Sequence, residues 1–103
     1  MTEAQYQTKL IRKLKRMFPG SFLVKNDSSY IQGFPDWTLL WGSCWAVLEV
    51  KKSMSSRRQP NQEHYISQLG DMSFAAFICP ENEEAVLNEL QAAFASCGRA
   101  CVP

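Results

Sequence analysis

Apolar residues near the start of the chain fall at helical spacing. Leu10, Ile11, Leu14, Met17 and Phe18 form one stripe, which predicts a helix over about Thr2 to Phe18. Thr2 is the N-cap, and Gln5 sits at the capping-box position. Pro19-Gly20 stops this helix. Phe22 to Lys25 reads as a short strand, followed by a polar loop from Asn26 to Gly33 that contains Asp27, Ser28 and Ser29. Trp37 to Trp41 and Cys44 to Lys51 read as two strands joined by a Gly42-Ser43 hairpin turn. A polar, basic loop runs from Ser53 to Gln59, and Asn61 to Leu69 reads as a helix ended by Gly70. Phe74 to Cys79 predicts a fourth strand. A last helix is introduced by Pro80 and Asn82, runs through Ala85, Leu87, Leu90 and Phe94, and ends at Gly98. The order is helix, three strands, helix, strand, helix. The hairpin requires antiparallel pairing, and the helix between the third and fourth strands permits a parallel pair. An α/β fold with a mixed sheet is expected.

Composition narrows the class. With 103 residues, 46 % hydrophobic and 20 % charged, the chain is expected to be one folded domain over residues 1–103, not a disordered, collagenous or coiled-coil segment. The longest apolar run, Trp37 to Leu48, is too short to span a bilayer, so no membrane partner is expected. Met1 leads into Thr2, Glu3 and a charged helix, and no signal peptide is expected. Cys44, Cys79, Cys97 and Cys101 show no C-x-x-C spacing and have only His64 as a companion, which argues against zinc. Reduced thiols in an intracellular compartment are expected, with Cys44 and Cys79 in the core. The net charge of +1 conceals an asymmetry: residues 1–58 carry +6 and residues 59–103 carry −5. One face can therefore be basic enough to meet a polyanion, although a solvated face accounts for the same charges.

Three charged residues stand out in this layout. Asp36 opens the second strand, while Glu49 and Lys51 project from one face of the third, with Trp45 and Val47. The two-residue turn sets Leu40 or Trp41 opposite Cys44 or Trp45, which brings Asp36 close to Glu49. Neighbouring carboxylates repel unless a proton or cation sits between them. Mg²⁺ suits such a pair, since it takes one or two carboxylates and keeps several waters. A lysine alongside can orient water or offset phosphate charge, so the set is workable for phosphodiester hydrolysis. Glu3 lies within about 20° of Leu10 and Leu14 on a helical wheel, and is expected to continue the buried stripe. It either completes a metal site or simply favours the helix N-terminus.

Gly33-Phe34-Pro35-Asp36 followed by Glu49-Val50-Lys51 resembles the PD-(D/E)xK nuclease pattern. With Glu3 on the first helix and Gln62 in Gln62-x-x-Tyr65-Ile66-x-x-Leu69-Gly70, the chain is most similar to the VRR-NUC branch, over about Glu3 to Phe94. The resemblance implies a restriction-endonuclease-like αβββαβ core with an added C-terminal helix. It implies that Asp36 and Glu49 hold Mg²⁺ or Mn²⁺ with the Val50 carbonyl, and that Glu3 binds the metal or its water. Lys51 would position the attacking water, and Gln62 would hold the lysine or a phosphate oxygen. Stand-alone nucleases of this kind resemble enzymes that cut branched DNA such as four-way junctions. Such junctions are two-fold symmetric, so a homodimer is expected. Their compactness suits a virus or mobile element.

Other residues have bland and functional readings side by side. Lys9, Arg12, Lys13, Lys15 and Arg16 either track phosphates or solvate a helix face. Lys52, Arg57 and Arg58 adjoin the proposed site and are the better candidates for phosphate contact. Trp37, Trp41 and Trp45 read as core or interface before base stacking. Tyr30 and Ile31 are candidates to wedge into a DNA branch, His64 reads as a solvated or capping residue before a phosphate contact, and Asp27 as an Asx-turn residue or an extra site acid. The rival readings are a nucleic-acid-binding or partner-binding module without catalysis, and a nuclease active only in a larger assembly.

Overall fold

Thr2 caps the first helix as its spacing to Gln5 requires. The Gln5 N–H donates to the Thr2 hydroxyl at 3.1 Å, and the Thr2 N–H donates to Gln5 Oε1 at 2.9 Å. The computed structural model describes residues 1–27 and 29–100; Ser28 and Cys101 lie outside them. The elements are α1 (Glu3–Met17), β1 (Phe22–Lys25), β2 (Trp37–Trp41), β3 (Cys44–Val50), α2 (Gln62–Met72), β4 (Phe74–Ile78) and α3 (Glu83–Ala100). α2 and α3 run on through Gly70 and Gly98, which were expected to end them. Gly70 is tolerated mid-helix beside Ala75, whose Cβ lies 3.8 Å from where a Gly70 Cβ would stand.

The strands form one four-stranded sheet in the order β1-β2-β3-β4. The first two pairs are antiparallel, and β3 with β4 is parallel, the α2 connection supplying the crossover. The chain is thus an α/β domain with a mixed sheet and three helices. Alternate residues of β3 sort to the two faces. Cys44, Ala46, Leu48 and Val50 join one core cluster with Tyr6, Leu10, Leu14 and Phe18 of α1 and Val86, Leu87, Leu90 and Phe94 of α3. Tyr6 extends the predicted α1 stripe, while Ile11 and Met17 flank it half-buried. Trp37 and Trp41 pack against this cluster, and Trp41 donates to the Pro19 carbonyl at 2.9 Å. On the other face, α2 lies over β3 and β4. The β1–β2 part of that face stays open, with Phe22 beside Leu40 and Val24 beside Thr38 in register. Phe22, Val24 and Leu40 are exposed.

Cys44 and Cys97, expected as free thiols, are joined in a disulfide with Cα atoms 5.9 Å apart. The fold itself brings the first residue of β3 under α3, and the pair marks that contact. Cys79 is a buried free thiol, as expected of a core cysteine.

Gly33 decides how the loop before β2 meets α2. Its φ is +86°, and a Cβ there would stand 2.7 Å from the Pro60 carbonyl oxygen and 2.8 Å from Asn61 Cβ. Only a residue without a Cβ fits both the left-handed backbone and the close approach. Gly33→Ala is expected to cost about 2–5 kcal/mol in chemical unfolding. Gly42→Ala, where nothing lies within 4 Å, is expected to cost only the left-handed backbone penalty of about 1 kcal/mol.

Candidate active site

The antiparallel register of β2 and β3 builds the site. Trp37 pairs with Leu48, so the residue before Trp37 meets the residue after Leu48: Asp36 faces Glu49. Asp36 Oδ2 accepts a hydrogen bond from the Val50 N–H at 3.2 Å. A strand residue turns its N–H and C=O to the same side, so the Val50 carbonyl also lies on the Asp36 side of β3. Lys51 continues the strand one residue further, and its N–H donates to the Ile78 carbonyl at 2.8 Å.

Glu49 is 5 % exposed, an unusual burial for a carboxylate. Its pKa is pushed up to about 8 by burial first, then by the charge of Asp36 and a hydrogen bond between the two carboxyls; Lys51 opposes the shift. Gln62 Nε2 donates to Glu49 Oε2 at 3.1 Å, and Lys51 Nζ lies 3.9 Å from that oxygen. The Gln62 amide is oriented from its other end, where its Oε1 accepts from the Gln59 N–H at 2.8 Å. The structure therefore brings Asp36, Glu49, Val50, Lys51 and Gln62 together. Gln62 holds the acid, not the lysine. Lys51 is held instead by the Arg57 carbonyl, to which it donates at 3.1 Å.

Other predicted residues stand apart or are differently engaged. Glu3 is exposed, not buried on the α1 stripe, because the core contacts of α1 begin at Tyr6. Among the described residues, no group of three or more His, Cys, Asp or Glu side chains gathers to hold a metal. Arg58 lies 3.8 Å over the Phe77 ring and pairs with Glu63 at 2.9 Å, so its charge is largely engaged by the protein. Lys52 and Arg57 are exposed beside the site. Lys9, Arg12, Lys13 and Arg16 are exposed on α1, with Lys13 paired to Glu83 at 2.9 Å. Tyr30 is exposed, and Phe34 stacks edge-on with Tyr65 of α2. Exposed His64 packs against Tyr65. Among the described residues no helix is long and apolar enough to cross a membrane.

Lys25 is a site residue that the sequence reading missed. Its Nζ lies 3.6 Å from Asp36 Oδ1 and 5.2 Å from the centre of the Trp37 ring. Antiparallel pairing of β1 with β2 sets Lys25 opposite Trp37, and the Asn26 N–H donates to the Asp36 carbonyl at 2.7 Å. The signal was the lysine ending the first strand, legible only once that strand is known to pair with β2. The donor set fits a small, hard divalent cation: two adjacent carboxylates and a carbonyl on the same side, with Glu49 disfavoured as an anion until its charge is matched. The chain matches no protein-family model, no curated protein and no solved structure.

The raised pKa has a stability consequence of definite sign. The folded state holds the Glu49 proton more tightly than the unfolded chain, whose carboxyl has the ordinary value of 4.5. Its contribution is therefore fully present below pH 4.5 and is lost as the pH rises towards about 8. Urea unfolding in EDTA is expected to show stability falling between pH 5 and pH 8, with a shallower fall in Glu49→Gln. A Glu49→Gln profile as steep as that of the wild type would contradict this assignment.

Proposed function

We propose that the chain is a metal-dependent DNA endonuclease of the PD-(D/E)xK type with a restriction-endonuclease-like core, acting on branched DNA such as four-way junctions. The observation that carries this reading is the buried Glu49 carboxyl set against Asp36, with Lys51 and Gln62 on its second oxygen. Two acids in this state hold a proton or a cation between them, and the adjacent lysine suits a phosphate. Asp36, Glu49 and the Val50 carbonyl would hold Mg²⁺, or Mn²⁺ in its place. Such an ion, when bound, polarises a phosphoryl oxygen and lowers the pKa of water.

The chain's own groups do the rest. Gln62 keeps Glu49 Oε2 turned into the site. Lys51 Nζ, steadied by the Arg57 carbonyl, presents its remaining N–H groups to a phosphate oxygen or the attacking water. Lys25 offsets the charge of Asp36 and limits the repulsion between the acids. The water oxygen bonds to phosphorus as the bond from phosphorus to the 3′ oxygen breaks. The leaving oxygen takes up a proton and the water gives one up, leaving 5′-phosphate and 3′-hydroxyl ends. Lys52 and Arg57 are positioned at the rim for phosphate contact.

Paired cuts across a two-fold junction call for two sites, and a homodimer supplies them. The surface such a pair would bury is the open sheet face of Phe22, Val24 and Leu40. Its exposed Phe22, Val24 and Leu40 are apolar, so a two-fold axis through them sets apolar against apolar. Sedimentation is expected to give a dimer that Phe22→Asp converts to monomer without unfolding; a wild-type monomer at all concentrations would contradict this part of the reading.

One observation favours a second reading, a nucleic-acid-binding module without catalysis: Glu3 is exposed and the acid pair has no third acid gathered to it among the described residues. Cleavage separates the two. Purified protein is expected to cut labelled four-way junction, in Mg²⁺ or Mn²⁺ and not in EDTA, in preference to linear duplex. Lys51→Ala and Asp36→Asn are each expected to lose at least about 100-fold in rate. Retardation of junctions without cutting in either metal would favour the binding module.

A further inference from the structure

A surface groove on α1 lies outside the acid pair. It has a volume of about 480 Å³, with Lys9, Arg12, Lys13 and Arg16 of α1 on one side and Pro80 and Glu83 on the other. These cations recur at the spacing i, i+3, i+4, i+7, which gathers them into an arc of about 100° on one helix face. The fifth basic residue of α1, Lys15, turns away and lines a neighbouring hollow with Ile11 and Trp37, on whose border with the groove Arg12 stands. The cations are not equivalent. Glu83 accepts from Lys13 Nζ at 2.9 Å with one oxygen and from the Tyr6 hydroxyl at 2.9 Å with the other. Lys9, Arg12 and Arg16 make no ion pair with any described residue.

One short segment links the groove, on the α1 side of the sheet, to the candidate active site at the end of β3. Lys51 hydrogen-bonds through its N–H to Ile78, and the chain passes through Cys79 and Pro80 to Glu83. The Met54 N–H also donates to Glu81 Oε2 at 3.0 Å, which ties the loop after Lys51 to the same segment. From Lys9 to Arg16 the helix rises about 10 Å. One strand of B-DNA places about three phosphates in that length of axis. Three unpaired cations face a span that holds three phosphates.

We propose that this groove is a second phosphate-binding surface, which seats one strand of a duplex arm beside the cleavage site through Lys9, Arg12 and Arg16. Glu83 holds Lys13 back from that contact. The choice of DNA as the occupant rests on the nuclease reading; the division of labour among the cations rests on the groove alone. A diffuse basic surface would use all four cations alike. A groove in which Glu83 already occupies Lys13 would not.

The test is fluorescence anisotropy of a labelled 20-base-pair duplex in EDTA, at several salt concentrations, with cleavage measured separately in Mg²⁺. Arg12→Ala with Arg16→Ala is expected to weaken binding about tenfold and to lower the slope of log K against log salt by about 2. Lys13→Ala is expected to change affinity less than about twofold, and Glu83→Gln to tighten binding by releasing Lys13. Thermal melting checks that Glu83→Gln, which also touches Tyr6, is folded. If it is not, the comparison of Lys13→Ala with Arg12→Ala, both on the exposed face, decides the matter. Equal effects of those two variants, or wild-type binding by the double arginine variant, would overturn the proposal. Binding that follows the expected pattern without cleavage in any metal supports the groove and removes the nuclease reading. Cleavage by the wild type, with wild-type binding by the double variant, removes the groove and leaves the nuclease.

Discussion

The pairing of Trp37 with Leu48 is the constraint on which the site depends. A two-residue turn at Gly42-Ser43 allows no slack, so the register propagates five residues to the far end of the hairpin. There it sets Asp36 against Glu49 and aims the Val50 N–H at the Asp36 carboxylate. A slip of one residue would turn Glu49 into the cluster now filled by Leu48 and Val50, and would expose those two. The hydrophobic effect on one face of β3 thus positions the acid on the other face. No residue of the acid pair has to specify its own placement.

That placement creates an electrostatic problem, which the surrounding residues reduce without removing. Glu49 is buried against a second carboxyl, so its anion is disfavoured. Gln62, Lys51 and Lys25 each relieve part of the charge, and each comes from a different element. The arrangement draws on the loop after Lys51, whose Arg57 carbonyl and Gln59 N–H hold Lys51 and Gln62 in orientation. It draws also on Gly33, which lets the Asp36 loop close on the residues before Gln62. The sheet thus keeps a buried acid whose anion is disfavoured, a pattern that clusters at functional sites.

Local signals made most of the fold legible. The capping box at Thr2, the stripe on α1 and the Gly-Ser turn each act within a few residues, and each predicts its element closely. Helix ends were less legible, because Gly70 and Gly98 read as stops while α2 runs on to Met72 and α3 to Ala100. The acid pair could be read because hairpin register is a counting rule. Lys25 could not, since the partner of the first strand depends on the order of the whole sheet. The burial of Glu3 was misjudged for a related reason: a helical wheel gives direction, not how far along the helix the core extends. The Cys44–Cys97 pair joins residues 53 apart in sequence, and nothing local announces it.

The central claim is that Asp36 and Glu49 form one divalent-cation site at the end of β3. Titration of the ¹⁵N-labelled protein with Mn²⁺, read by paramagnetic broadening of amide signals, tests it without relying on cleavage. Broadening confined first to the amides of Asp36, Glu49, Val50, Lys51 and Gln62, competed away by Mg²⁺ and lost in Asp36→Asn, is the predicted result. Broadening that starts elsewhere, such as the acidic start of α3, or that persists unchanged in Asp36→Asn, would contradict the account.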